Sequence, residues 1–246
     1  MTDTPEEKKL PVHIGFIMDG NGRWAEEQGL KRTDGHKKGA EVARLVIEHA
    51  KKRGIKVVTL CAFSTENWKR PKAEVKTLLD IFRKYMNEDI KELQKQKIRV
   101  SFIGDREKFP ADMVKRMNEV ERETSAFSDF RVVLALNYGF RDDMIAAIKK
   151  IAIDILDRKY LISGIDEAKV NEALSTHDTP YPDLIIRTSG EQRLSNFLMW
   201  ESAYSELYFT PVYWPDFNEH DLDDAIEAYG RRNRRFGKVT VEINSM

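Results

Sequence analysis

Short apolar runs alternate with segments of helical period along most of the chain, and this alternation restricts the possible folds more than any other feature. The runs predicted as strands are Val12–Met18, Lys56–Phe63, Ile98–Ile103, Arg131–Asn137, Asp183–Arg187 and the short Glu206–Phe209. The segments predicted as helices are Asp34–Arg53, a long helix from Pro71, a helix from near Pro110, Asp142–Leu156 and Asp221–Arg235. Continuously apolar strands with helices between them predict an α/β fold, with a central, mostly parallel β-sheet of about six strands flanked by helices. No repeat or linker divides the sequence, so we expect a single domain over residues 1–246.

The spacing of apolar residues within three of these helices predicts which side chains face the sheet. The three inward sets are Val42, Leu45 and Val46; Ile145, Ile148, Ala152 and Ile155; and Leu222, Ala225, Ile226 and Tyr229.

Charge and composition exclude several classes of protein. Lysine plus arginine number 41 and aspartate plus glutamate also 41, whereas a general nucleic-acid binder carries a basic excess that displaces counterions from phosphates. Cys61 is the only cysteine, which excludes an internal disulfide and a zinc site built from cysteines. No apolar run reaches the ~20 residues of a membrane span, and the polar start lacks the apolar core of a secretory signal. We therefore expect a cytoplasmic protein whose residues 1–11 form a flexible tail.

In a parallel sheet, ligands bind beyond the carboxyl ends of the strands, and the first strand ends in a segment rich in glycine and polar residues. This segment is Asp19-Gly20-Asn21-Gly22-Arg23-Trp24, followed by Arg32 and His36 at the start of the next helix. Two glycines around an asparagine allow successive N–H groups to form a concave anion site, and the aspartate could hold Mg²⁺ against a phosphate. A plain turn is the alternative, since Asp-Gly and Asn-Gly pairs are common turn formers.

Two other strand ends carry residues of the same chemistry. The second strand is followed by Ser64, Thr65, Glu66, Asn67, Trp68 and Arg70, for which the start of a capped helix is the alternative. The fifth strand is followed by Arg187, Ser189, Gly190, Arg193, Leu194 and Ser195, which suit a diphosphate or form a solvated turn. Glu206 lies in an aromatic run and is either paired, metal-bound or exposed at a strand edge. Since the Walker lysine motif, the GxGxxG motif and a zinc-ligand set are absent, these ends together predict a Mg²⁺-assisted diphosphate pocket of another design.

Seven longer blocks follow one another from about Val12 to Gly237. They are HIGFIMDGNGRWA (His13–Ala25), AFSTENWKRP (Ala62–Pro71), LNYGFR (Leu136–Arg141), IIRTSGEQRLSNFLMW (Ile186–Trp200), AYSELYF (Ala203–Phe209), WPDF (Trp214–Phe217) and RRFG (Arg234–Gly237). In this order they resemble the cis-prenyltransferases, and most closely the bacterial undecaprenyl diphosphate synthases. Phe140 departs from the pattern, because the family commonly has a second glycine there.

The resemblance implies an enzyme that condenses isopentenyl diphosphate successively onto an allylic diphosphate, usually farnesyl diphosphate, and forms cis double bonds. The expected product is undecaprenyl diphosphate for cell-wall lipid carrier synthesis, and a shorter- or medium-chain product is the alternative. By the same resemblance, Asp19 would hold Mg²⁺ and assist departure of the allylic diphosphate. The residues implied to bind that diphosphate are Gly20, Asn21, Gly22, Arg23 and His36, with Arg32 nearby.

The resemblance also implies roles for the other two loops. Ser64, Thr65, Glu66 and Arg70 belong to a second substrate-contacting loop, and Trp24 and Trp68 would shape the prenyl entrance. Arg187, Arg193 and Ser195, with Leu194 between them, would bind isopentenyl diphosphate, and Glu206 would complete the Mg²⁺ site across a homodimer contact. Asn67 occupies the position of a proposed proton acceptor. Because a neutral carboxamide is a very weak base, we favour a diphosphate oxygen or a water held by Asn67.

An apolar chain that grows on the enzyme must leave water, so the resemblance implies an apolar tunnel beneath the sheet. Candidate lining residues are Val75, Leu78, Leu79, Phe82, Tyr85 and Met86, with Ile103 and Leu136 from strands. The pattern alone favours an ordinary core for these residues. Release of an apolar product would suit peripheral contact with the inner face of a membrane.

Two other functions are weighed against this one. A non-catalytic partner subunit would be expected to lose the first motif, but Asp19–Trp24 is intact. RNA binding would use Arg231, Arg232, Arg234 and Arg235, yet the helix that carries them has an apolar face toward the core, and the net charge is zero.

Overall fold

The computed structural model describes residues 9–88 and 90–232, and its centre is a sheet of six parallel strands. The strands are β1 (His13–Ile17), β2 (Val57–Ser64), β3 (Ile98–Ile103), β4 (Phe130–Tyr138), β5 (Leu184–Arg187) and β6 (Glu206–Phe209). Their order across the sheet is β3-β4-β2-β1-β5-β6, and every neighbouring pair is parallel. The α/β prediction is confirmed, and each predicted strand is found close to its predicted bounds.

Helices connect and cover the strands. Within the described ranges they are α1 (Asn21–Glu27), α2 (Arg32–Lys52), α3 (Lys72–Glu88), α4 (Ile90–Lys95), α5 (Ala111–Thr124), α6 (Phe140–Leu156), α7 (Glu167–Ala173) and α8 (Glu219–Gly230). The predicted last helix extended to Arg235, but α8 ends at Gly230. Arg234, Arg235 and residues 1–8 of the predicted tail lie outside the described residues.

The sheet has an apolar cluster on each face, because successive strand residues point in opposite directions. Phe16, Leu60 and Val132 belong to the larger cluster, which includes side chains of α2, α3, α5 and α8. Ile17 and Ile103 belong to the smaller cluster on the other face. Ile103 was predicted to line the tunnel beside Leu136, which belongs to the larger cluster, so this placement of Ile103 was wrong.

The predicted inner face of α2 is correct for two residues of three. Val42 and Val46 are buried, but Leu45 is 51% exposed. The buried stripe continues through Gly35, Gly39 and Ala50 at helical spacing. Leu45 is one residue, or about 100° of helical rotation, away from Val46 and therefore lies outside that stripe.

The predicted inner face of α6 is wrong. Ile145, Ile148 and Ala152 are exposed, whereas Ala147 and Ile151 are buried. This helix is apolar on nearly all sides, so the spacing of its apolar residues could not identify the covered side. In α8, by contrast, the predicted set of Leu222, Ala225, Ile226 and Tyr229 is buried as expected.

Two neighbouring residues of α2 test this packing. Val46→Ala should lower the free energy of unfolding by about 2 kcal/mol, because it removes buried methyl groups and leaves a cavity. Leu45→Ala is the matched control and should lower it by less than about 0.5 kcal/mol, because the side chain is already half in water. Urea unfolding followed by circular dichroism measures both values. Equal losses in the two variants would contradict the burial described for α2.

Candidate active site

The turn after β1 places the carboxylate of Asp19 among cations. Its Oδ2 accepts a hydrogen bond from Arg187 Nη2 at 2.8 Å, and its Oδ1 lies 3.4 Å from Arg23 Nη2. Burial by itself would raise the pKa of Asp19, but the hydrogen bond and charge of Arg187 outweigh it and hold this pKa below its usual value. Gly20, with φ at 102°, takes a left-handed conformation that its lack of a side chain permits. Asp19 is therefore an ionised carboxylate at neutral pH.

Glycines bring α1 and α2 into close contact next to this turn. A Cβ added to Gly39 would lie 2.0 Å from Asn21 Oδ1, and one added to Gly35 would lie 1.9 Å from the carbonyl oxygen of Asn21. Gly22 similarly allows the guanidinium of Arg32 to lie against the backbone. Asn21 Nδ2 donates to the carbonyl of Met18, and its buried Oδ1 has no hydrogen-bond partner. Asn21 is thus fixed by close packing at the edge of the site.

A buried glutamate of α3 gathers three predicted site residues. Glu74, 6% exposed, accepts hydrogen bonds from His36 Nε2 and Arg70 Nη1, each at 3.0 Å, and lies 3.4 Å from Arg32 Nε. Arg32 also pairs with Glu26 at 2.9 Å. Burial lowers the pKa of His36, so the imidazole is neutral at neutral pH. Glu74 therefore fixes cations from two of the predicted loops beside Asn21.

The loop after β2 forms a 3-10 turn over Thr65–Lys69, closed by a capping box. Asn67 Oδ1 accepts from the backbone N–H of Ser64 at 3.1 Å, and the Ser64 side chain accepts from the backbone of Asn67 in return. The capped helix start weighed for this loop is therefore present. It does not exclude a binding role, because Ser64, Asn67 and Arg70 also line the cavity described below.

The loop after β5 supplies two arginines in different environments. Arg187, 4% exposed, donates through Nη1 to Ser195 Oγ at 2.7 Å and to the carbonyl oxygen of Arg193 at 2.5 Å, while its buried Nε has no partner. Arg193 is exposed and pairs with Glu191. Glu191 also accepts from Arg23 Nη1 at 3.1 Å. Arg187 thus links this loop to Asp19, and Glu191 links it to the turn after β1.

A cavity of about 440 Å³ opens beneath these three turns. Eight of its polar lining residues lie at or near the carboxyl ends of the strands: Asp19, Asn21, His36, Ser64, Asn67, Arg70, Arg187 and Ser195. Four others, Arg44, Glu48, Glu92 and Gln96, line it further from these ends. Below them the lining is largely apolar and includes Leu78, Phe82, Tyr85, Met86, Leu136 and Leu194. Cys61 lines it too, and burial raises the pKa of its thiol to about 12. Val75 and Leu79, predicted for the tunnel, instead pack against the larger apolar cluster.

Both tryptophans predicted at the entrance lie outside the lining of this cavity. Trp24 donates its indole N–H to Asp216 Oδ1 at 2.7 Å. Trp68 donates to Asn137 Oδ1 at 2.7 Å and packs on Phe63 and Phe109. Both side chains are therefore held by contacts with other parts of the protein and do not line the cavity. Other predicted residues that surround the cavity without lining it are Gly20, Gly22, Arg23, Arg32, Thr65, Glu66 and Arg193.

Glu206 lies toward the amino ends of the strands, at the opposite end of the sheet from the three turns. It is the first residue of β6 and pairs with Leu184 of β5, which in turn pairs with Ile14 of β1. The carboxyl end of β1 therefore lies about 10 Å further along the strands. Its carboxylate accepts from Arg232 Nη1 at 2.7 Å. Asp19 and Glu206 of one chain therefore do not form a common metal site, and only the version of the prediction that uses a second chain stays open. No group of three or more metal-ligating side chains occurs in the parts of the chain that the structure describes.

The sequence reasoning missed Glu74, Glu191 and Asn196. Glu74 and Glu191 bridge predicted site residues from different loops, and Asn196 connects Glu66 to the start of α6. These roles appear only in the folded arrangement. Glu191 and Asn196 lie within the block around Arg193, which was the one available signal. The arginines proposed for RNA binding are paired where described, Arg231 with Glu227 at 3.4 Å and Arg232 with Glu206.

The arrangement suits an enzyme whose substrate has an anionic head and an apolar tail, because cationic turns stand over an apolar cavity. Comparison with known proteins narrows the class. A family model described as "Putative undecaprenyl diphosphate synthase" matches residues 17–237. The chain therefore belongs to this family of isoprenyl transferases, and the family resemblance expected from the sequence is confirmed.

Individual relatives agree with this assignment. An isoprenyl transferase of Aquifex pyrophilus is 47% identical over 95% of this chain and 99% of its own. The ditrans,polycis-undecaprenyl-diphosphate synthase ((2E,6E)-farnesyl-diphosphate specific) of Pasteurella multocida is 43% identical over 94% of this chain and 97% of its own. The crystal structure of lavandulyl diphosphate synthase from Lavandula x intermedia, in complex with dimethylallyl diphosphate, matches this chain with a TM-score of 0.90 and 38% identity. The match covers 93% of this chain and 99% of that one. Among the described residues, no helix is long and apolar enough to cross a membrane.

Proposed function

We propose that this chain is a Mg²⁺-dependent cis-prenyltransferase that adds isopentenyl diphosphate successively to farnesyl diphosphate and releases undecaprenyl diphosphate for use as a cell-wall lipid carrier. The observation that carries the proposal is the position of Asp19, Asn67 and Arg187, which come from three strand ends and line the mouth of one largely apolar cavity. The sequence motifs and the farnesyl-specific relative from Pasteurella support the choice of substrates.

The allylic diphosphate would bind at the turn after β1. Asn21 and Gly22, the first residues of α1, would supply backbone N–H groups, while the N–H of Gly20 donates to Asp19 Oδ1 at 2.7 Å. Arg23 lies beside Asp19, His36 lines the cavity, and the guanidinium of Arg32 lies against Gly22. The cations and N–H groups of this turn would stabilise the negative charge that grows on the diphosphate as its bond to C1 breaks, and preorganised charges of this kind are the largest expected contribution to catalysis. Asp19 is itself anionic and would contribute by holding Mg²⁺.

Isopentenyl diphosphate would bind at the loop after β5. Arg187 is held by Asp19 and Ser195, whereas Arg193 is exposed and pairs with Glu191. Guanidinium groups suit diphosphate oxygens because they donate two parallel hydrogen bonds. As the new carbon–carbon bond forms at the allylic C1, a proton leaves C2 of the isopentenyl unit. Asn67 Oδ1 already accepts a backbone hydrogen bond, which agrees with a role in orienting a diphosphate oxygen or a water that takes this proton.

The residues present fit a Mg²⁺ ion that arrives with substrate. Asp19 is an ionised carboxylate, partly exposed at the cavity mouth, and Mg²⁺ is commonly held by one or two carboxylates together with substrate phosphates. When bound, the ion would neutralise charge on the departing diphosphate. Asp19 is the one residue of this chain that we assign to it, since Glu206 lies at the opposite end of the sheet from the three turns.

The cavity would hold the growing chain, because each methylene moved out of water contributes about 0.8 kcal/mol. Product length is the open part of the proposal. The similarity to the lavandulyl enzyme favours a second candidate, a synthase that makes a short product from allylic diphosphates. Both candidates use the same diphosphate site and differ in how far the chain extends into the cavity.

One assay tests the function directly. Purified protein, farnesyl diphosphate, radiolabelled isopentenyl diphosphate and Mg²⁺ should give labelled polyprenyl products, and chromatography should show a main product of about eleven isoprene units. Adding excess chelator should stop the reaction, and restoring Mg²⁺ should recover it. Labelled products of four or five units would favour the short-chain candidate. Full activity in chelator would remove Mg²⁺ from the account, and no incorporation at all would contradict the proposed function.

We also propose a homodimer that uses the outer face of α6. Ile145, Ile148, Ala152 and Leu156 share this face and are exposed, which is unusual for large apolar side chains in such a row. A second copy would cover both faces at once, since a two-fold contact buries the same patch on each chain. Contact with a membrane during product release stays a prediction.

Two substitutions on α6 test the dimer. Ile148→Glu places a charge on the apolar face and should shift the protein from dimer to monomer in sedimentation velocity. Lys149→Glu is the matched control: it also introduces a glutamate, but next to that face, and should leave the dimer intact. Monomeric wild-type protein, or a dimeric Ile148→Glu variant, would contradict this interface.

A further inference from the structure

Asn196 connects the loops that follow three different strands. Its Nδ2 donates to Glu66 Oε1 at 3.2 Å, and Glu66 belongs to the turn that carries Asn67. Its Oδ1 accepts from the backbone N–H of Arg141 at 2.9 Å, and its carbonyl oxygen accepts from the N–H of Phe140 at 2.8 Å, both at the start of α6. One residue of the loop after β5 is therefore bonded to the loops after β2 and β4.

The backbone around Asn196 is shaped for this contact. Ser195 and Asn196 both have left-handed conformations, with φ at 49° and 64°, and asparagine tolerates that region better than most residues. A Cβ on Gly139 would lie 2.6 Å from Asn196 Nδ2 and 2.6 Å from Thr65 Oγ1, so the absence of a side chain permits the approach. The departure of Phe140 from the family pattern is compatible with the contact, because its backbone N–H makes the bond.

We propose that Asn196 is a positioning residue that fixes the distance between the isopentenyl diphosphate loop and the turn that carries Asn67. This inference rests on the proposed function. Ser195, its neighbour, accepts from Arg187, so the contact is continuous with the diphosphate site. Each substrate head is held by its own loop, whereas the separation of the two reacting carbons depends on how the loops are joined. A displacement of about 1 Å can cost a hundredfold in rate.

The chemistry of the amide makes the proposal specific. Asn196 needs one donor, for Glu66, and one acceptor, for the N–H of Arg141. Asn196→Asp keeps the acceptor but sets a carboxylate against that of Glu66. A second substitution, Glu66→Gln, restores the bond in the reverse direction, because the new amide can donate to the new carboxylate. Loss and recovery of the same bond distinguish positioning from general damage to the loop.

Steady-state kinetics with both diphosphates varied tests the inference. Asn196→Asp should lower kcat at least thirtyfold and leave KM for each substrate within threefold of wild type. The double variant Asn196→Asp/Glu66→Gln should recover at least tenfold in kcat over Asn196→Asp. Asn118→Asp, the same chemical change at an exposed position of α5, is the matched control and should leave both parameters unchanged.

Several results would overturn the positioning role. They are a kcat of Asn196→Asp within threefold of wild type, a loss confined to KM for isopentenyl diphosphate, and a double variant no better than Asn196→Asp. If Asn196→Asp does not fold, as judged by its melting curve, Glu66→Ala cuts the same bond from the other loop, and the same kcat and KM criteria apply. Wild-type protein that forms no prenyl product would instead contradict the proposed function, so the two failures are distinguishable.

Discussion

The parallel pairing of β1 with β2 on one side and β5 on the other is the constraint on which the site depends. Phe16 lies opposite Leu60 and Ile186, so β1 and β5 end level with each other, and β2 continues a further three residues in the same direction. The polar turns of all three strands therefore lie on the same side of the sheet. The ion pair between Asp19 and Arg187 closes the junction of two of these turns. Backbone hydrogen bonds thus fix the spacing of the proposed diphosphate sites before any side chain contributes.

Carboxylates form ion pairs with the cationic side chains of the site and fix their positions. Asp19 holds Arg187, Glu74 holds Arg32 and Arg70, and Glu191 holds Arg23 and Arg193. Side chains that are already ordered lose less entropy when an anion binds, which favours affinity and fixed geometry. The apolar cavity below adds a second requirement, since it accepts only a substrate whose tail leaves water. The combination defines the substrate class more sharply than either part.

The sequence predicts the sheet well because buried parallel strands are continuous apolar runs, as β3 shows at both ends. It identifies the turns of Asp19, Asn67 and Arg187 because ligands of parallel sheets bind at strand ends. It fails where a contact forms only in the folded chain. The outer face of α6 is as apolar as a core, Leu45 lies just outside its stripe, and Glu74 and Asn196 are polar residues whose partners are distant in sequence. The role of Glu206 across a homodimer contact stays a prediction.

We propose that Asp19, through the Mg²⁺ that it would hold, acts on the charge that develops during reaction, in a site whose diphosphate binding is shared among several loops. Asp19→Ala, compared with wild type by calorimetric titration of farnesyl diphosphate and by single-turnover kinetics with Mg²⁺, tests this most directly. We expect affinity within threefold of wild type and a rate reduced at least a thousandfold. A variant that keeps more than a tenth of the wild-type rate would contradict the account.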